Sequence, residues 1–115
     1  MRIFLLSSLG GEETSAYESK NLILKRLLSM AYPSQVAIAR IEEGGRIGEH
    51  PAAVNQLFVA VEGSGWVAGP DGSRQPLKPG MAAFWEEGEV HEAGSKDGIT
   101  ALIIESEGLQ LEAMD

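Results

Sequence analysis

The sequence predicts an all-β fold, a barrel or sandwich of short strands. Three observations carry this. Short apolar runs recur along the chain, turn-forming clusters interrupt them, and fourteen glycines fall mainly between the runs. The 115 residues suit a single domain (1–115) that buries one modest core.

The first candidate strand is Arg2–Leu6. Its apolar run is short, and Glu12 and Glu13 follow soon after with no small-residue cleavage pattern. It therefore reads as a strand and not as a secretory segment. Gly10-Gly11 makes the first turn. Asn21–Leu28 comes next, and here a helix over Ser19–Ala31 competes. Leu22, Ile23, Leu27 and Leu28 have partial helical spacing, with Lys20, Lys25 and Arg26 toward water. Pro33-Ser34 precedes a strand at Gln35–Ile41, and Gly44-Gly45 closes it. Gln56–Glu62 and Gly65–Ala68 flank Gly63-Ser64. The run from Gly65 to Gly72 reads as a hairpin arm with a tight turn at Gly69-Pro70-Asp71-Gly72. Met81–Trp85 follows Pro79-Gly80. Ile99–Glu105 follows Lys96-Asp97-Gly98, and a last weak strand falls at Gly108–Glu112.

Seventeen acidic residues against nine basic ones give a net charge of −8. That balance argues against nucleic acid, whose phosphates need clustered Lys and Arg, and against anionic membrane surfaces. No stretch has the length of apolar sequence that a spanning helix needs. The absence of cysteine excludes disulfides and thiolate metal ligands, and fits a cytoplasmic location.

Side chains alternate between the two faces of a strand. With Gln56 inward, Phe58 and Ala60 point inward too, and Leu57, Val59 and Val61 form an apolar outer face. Such a face needs a cover, which predicts a homodimer, or else packing by the N-terminal strands.

Two stretches carry the chemistry. In the first, five residues separate Gly44 from His50, one separates His50 from Ala52, three precede Gln56 and six precede Gly63. In the second, five residues separate Gly80 from Glu86, one precedes Gly88, two precede His91 and three precede Ser95. The pair resembles the two motifs of the cupin family, which read Gly, His, His, Glu, Gly and Gly, Pro, Gly, His, Asn at these spacings. The resemblance covers about residues 35–105. It implies a cupin-type, jelly-roll-like β-barrel (a double-stranded β-helix) of the short single-domain kind. It also favours the strand over the helix near residue 25. Residues 1–34 are then expected to pack on the barrel or on a dimer partner. Ala83 and Trp85 are expected inward and Phe84 outward.

The resemblance also implies a metal site, but the side chains depart from it. His50 and His91, the only histidines, stand at family metal positions, whereas Ala52 replaces the second His and Gln56 replaces the Glu. His50, Gln56 and His91 are the candidate ligands for one divalent ion (Zn, Ni, Mn or Fe), or the site holds none. A metal wants three or four protein ligands at about 2.0–2.2 Å. Glu86, Glu87, Glu89 and Glu92 are the nearby carboxylates, though a charge run is usually a solvated face. Without a metal, His50, Gln56 and His91 form a polar cluster, and with Phe58 and Trp85 they line a small-molecule pocket.

Three functions follow from this set. The first is a small-molecule-binding cupin-type protein. The second is a metal-dependent enzyme (isomerase, lyase or oxygenase) acting on a small organic acid or sugar-like compound. The third is a structural or interaction protein with a filled barrel.

Overall fold

The computed structural model describes residues 1, 4–5, 8–29 and 34–111. Nine strands form in chain order: β1 (Glu12–Glu13), β2 (Lys20–Ser29), β3 (Ser34–Pro51), β4 (Asn55–Gly63), β5 (Gly65–Ala68), β6 (Arg74–Leu77), β7 (Ala82–Trp85), β8 (Val90–Gly94) and β9 (Ile99–Ser106). One 3-10 turn, Ala16–Glu18, lies between β1 and β2. All described pairings are antiparallel. They run β6-β5-β8-β3-β9-β4-β7, with β2 added on β3 and β1 on β2. The fold is therefore all-β, a nearly closed antiparallel barrel.

Strand β3 organises the molecule. Its first half pairs with β9 (Ser34↔Ser106 through Ile41↔Ile99), and its second half pairs with β8 (Arg46↔Gly94 through Pro51↔Val90). The change of partner falls at Gly44-Gly45, which therefore forms a corner inside a strand instead of its end. Gly44 has φ +73, a conformation that disfavours side-chain-bearing residues, and its N–H bonds the carbonyls of Ser95 and Lys96. The corner carries β3 on to His50.

Alternation fixes the inside. Gln56, Phe58 and Ala60 are buried, while Leu57 and Val59 are half-buried and Val61 is exposed. The inner face of β9 supplies Ile99, Ala101 and Ile103, and β3 supplies Ala37, Ala39 and Ile41, all buried. Burial of such side chains stabilises by about 1.5–3 kcal/mol each for the larger ones. Phe58 meets Trp85 edge-on, with ring centroids 6.0 Å apart.

The strand favoured near residue 25 forms at Lys20–Ser29, in place of the competing helix. Other expectations need correcting. Phe4 and Leu5 carry no strand, and Arg2, Ile3 and Leu6 of the expected Arg2–Leu6 strand lie outside the described residues. Residues 108–111 also form no strand: Gly108 turns the chain, and the Leu109 carbonyl accepts from Asn55 Nδ2 at 2.7 Å. Glu112 lies outside the described residues. Strands β1, β6 and β8 were not expected. β6 contains Pro76 and sits at a sheet edge, where the missing N–H costs no ladder bond.

Candidate functional site

The inner faces of β3, β4 and β9 end on polar residues. Register places Gln35 opposite Glu105, and Glu105 opposite Gln56 on its other side. The row continues to Trp85, opposite Gln56 across β4 and β7. Gln35, Gln56 and Glu105 all line a cavity of about 150 Å³, together with His50 and Tyr17. Leu22, Leu24, Ile47 and Ile103 form its apolar wall. A Lys or Arg is absent from this lining among the described residues.

His50 reaches the cavity through an irregularity in β3. The β3–β8 register shifts between Ile47 and His50, which re-aims the strand end so that His50 pairs with His91. The two rings lie 4.4 Å apart, centroid to centroid. His50 Nδ1 lies 2.7 Å from the Gly48 carbonyl and His91 Nδ1 lies 3.2 Å from the Glu89 carbonyl. A carbonyl only accepts, so both Nδ1 atoms carry the proton, and the neutral ring presents Nε2 as a bare lone pair.

His91 is the deeper of the two. It stacks on Trp85 at 4.5 Å, and its buried Nε2 has no hydrogen-bond partner among the described residues. Burial pushes its pKa down, the bond to the Glu89 carbonyl opposes this, and His50 adds to the lowering. For Glu105, burial pushes the carboxyl up, and His50 partly offsets that.

Tyr17 lines the cavity from the solvent side. Its ring lies parallel to His50, 4.0 Å away with an interplanar angle of 5°. Tyr17 and Glu18 both take positive φ, 57° and 60°, which costs a non-glycine residue about 1–2 kcal/mol each. The turn is held by Ser19 Oγ, which accepts from the Gly48 N–H at 3.1 Å. Gly48 permits the approach: a Cβ there would overlap the Tyr17 carbonyl.

The structure brings His50, Gln56 and His91 together, with Trp85 against His91. His50 and Gln56 line the cavity, whereas Phe58, Trp85 and His91 pack behind it. Glu86, Glu87, Glu89 and Glu92 do not reach it. Glu86 N–H bonds Glu89 Oε1 at 2.8 Å, so that acidic turn partly satisfies itself. The carboxylate that does line the cavity is Glu105, with Gln35 and Tyr17 beside it. The parity of Ile99, Ala101 and Ile103 points to Glu105, and that of Ala37, Ala39 and Ile41 points to Gln35. Tyr17 belongs to no motif and no strand, so periodicity carries no signal for it.

Two oriented imidazoles are half of a metal site. The other half is missing: Ala52 offers no donor and Gln56 a neutral one, and although Glu105 lines the cavity with His50, no three His, Cys, Asp or Glu side chains group around one point among the described residues. This donor set does not fit a resident divalent ion, whose charge needs anionic or more numerous ligands.

No family model and no curated protein matches the chain. Solved structures do. One is a predicted oxalate decarboxylase from Thermotoga maritima, at 20% identity over 90% of this chain and 96% of that one, with TM-score 0.79. The polyketide cyclase RemF from Streptomyces resistomycificus is similar at 20% identity over 91% of this chain and 78% of that one, with TM-score 0.80. An RmlC-like cupin from Shewanella frigidimarina matches at 16% identity over 96% and 94% of the two chains, with TM-score 0.77. The chain has the cupin fold. Among the described residues no helix is long and apolar enough to cross a membrane.

Proposed function

We propose that this chain is a small-molecule-binding protein whose ligand occupies the cavity between Tyr17, His50, Gln56 and Glu105. The observation that carries the reading is the cavity itself, apolar on one side and polar on the other, at about 150 Å³. A void of that size takes one benzene-sized molecule, several times the roughly 30 Å³ share of a water. It counts against a barrel filled by its own side chains. Polar groups converging on an apolar hollow are the usual form of a ligand site. His50 and Gln56 orient the ligand, Tyr17 covers it, and His91 with Trp85 backs His50.

The test is a small-fragment screen followed by backbone and imidazole NMR. Hits should shift His50, Gln56 and Glu105, and Gln56→Leu should abolish them while the chain stays folded. Hits that perturb only the outer sheet would sink the reading.

A second copy of this chain is proposed to cover the outer face of β3, β4, β7 and β9. Val36, Leu57, Val59, Phe84, Leu102 and Ile104 share that face by register and remain half-buried. Its edge carries both signs, Lys25 and Arg40 beside Glu42 and Glu62. A two-fold axis can therefore match basic to acidic groups across an isologous contact.

A further inference from the structure

We propose that the cavity selects a small molecule with an apolar body and a donor-bearing head that carries no anionic charge. The proposal rests on reading the cavity as a ligand site, and it names the chemistry that site accepts.

The polar wall is a row of three side chains, Gln35, Glu105 and Gln56, on three adjacent strands. Neighbouring strands lie about 4.8 Å apart, so the row spans about 10 Å. None of the three is engaged in a side-chain hydrogen bond among the described residues. Their capacity is open to a ligand. Glu105 when ionised only accepts, and each carboxamide offers a carbonyl oxygen besides its NH₂. His50 adds a lone pair at Nε2 in its neutral form, because Nδ1–H is committed to the Gly48 carbonyl. The wall thus pairs these acceptors with the N–H donors of the two carboxamides, and its one carboxylate is Glu105.

An anionic ligand meets the wrong surface. No Lys or Arg lines the cavity among the described residues, and Glu105 stands in the middle of the row. A carboxylate placed there loses its hydration and gains no fixed counter-charge. An N–H or O–H head finds Glu105 and the two carboxamide oxygens at once. A cationic head gains the charge of Glu105 in addition. The opposite wall of Leu22, Leu24, Ile47 and Ile103 takes the apolar body.

Three near-isosteric probes separate these cases: benzoate, benzamide and benzamidinium. Titration by calorimetry, with imidazole NMR to place the site, should give benzamidinium tightest and benzamide next. Benzoate should bind at least about tenfold more weakly than benzamide. Glu105→Gln, which keeps the shape, should weaken benzamidinium by about tenfold and leave benzamide within about twofold. Benzoate binding as tightly as benzamide at His50 overturns the selectivity while the ligand site stands. An unchanged benzamidinium affinity in folded Glu105→Gln removes Glu105 from it. If none of the three probes perturbs His50 or Gln56 up to about 10 mM, the selectivity and the ligand site fall together.

Discussion

His91 offers a direct test of whether the buried imidazole serves the fold. Its Nε2 is buried without a partner among the described residues, a loss of about 1–3 kcal/mol for a desolvated polar atom. The one bond the ring makes is long, Nδ1–H to the Glu89 carbonyl at 3.2 Å, and worth about 1 kcal/mol at most. That carbonyl also accepts the Ala52 N–H at 2.9 Å, so removing the imidazole leaves it satisfied. Phenylalanine keeps a flat ring against Trp85. His91→Phe should therefore lie within about 1 kcal/mol of the parent, or be more stable, which is about 4 °C in Tm at this size. His91→Ala empties a ring-sized hole and should cost about 2–4 kcal/mol. Urea unfolding of the three proteins measures both differences. If His91→Phe is destabilised as much as His91→Ala, Nε2 has a stabilising partner and the imidazole serves the fold.

Three further outcomes are expected. The unfolded chain takes up a proton on His91 as pH falls through about 6.5, and the folded chain does so only at lower pH, so stability should fall below that point. Glu105 acts in the opposite sense: its folded pKa is raised, so its contribution to stability is lost as pH rises from 4.5 through the raised value. In urea midpoints from pH 8 to 5, His91→Phe should lack the His91 decline, and a variant that keeps it would assign the decline elsewhere. Gly48→Ala drives a Cβ into the Tyr17 carbonyl and should cost about 2 kcal/mol while unstacking Tyr17 from His50. A ring-current change at His50 reports the unstacking, and an unchanged spectrum would show that the turn yields without moving the ring. For the outer face, sedimentation should give a dimer for the parent and a monomer for Leu102→Lys, whereas a parent monomeric at about 100 μM leaves that face without its proposed cover.

The inner row of β4 is legible once Gln56 is taken as inward, because parity then carries Phe58 and Ala60 with it; polarity alone does not separate them from the equally apolar Leu57, Val59 and Val61. The resemblance to the cupin motifs puts His50 and His91 in one site, and β3 and β8 pair them directly. What escapes has physical reasons. β8 reads Val-His-Glu-Ala-Gly, too short and polar to show a period, and it forms because β3 and β5 bracket it. Gly44-Gly45 looks like a strand end, yet the chain continues through it by exchanging β9 for β8. Glu105 has inward parity, but a charged residue at the last turn of a strand reads as solvent-facing until its neighbours Gln35 and Gln56 are placed. Tyr17 sits in a short 3-10 turn docked on Gly48 and stacked on His50, contacts that no local pattern announces.

The pairing of β3 with β9 also governs when the barrel can assemble. Ser34 and Ser106 share a hydrogen bond 72 residues apart, and the polar row needs Gln35 and Glu105 side by side. During synthesis the polar wall of the cavity is therefore incomplete until β9 has emerged. Until then β3 presents an open edge that invites pairing with another copy. Folding that depends on so distant a closure is slow for the chain's size. A stop shortly before Ile99 removes β9 together with the Glu105 side of the cavity, and leaves β3 and β4, its two neighbours, each with an unpaired edge.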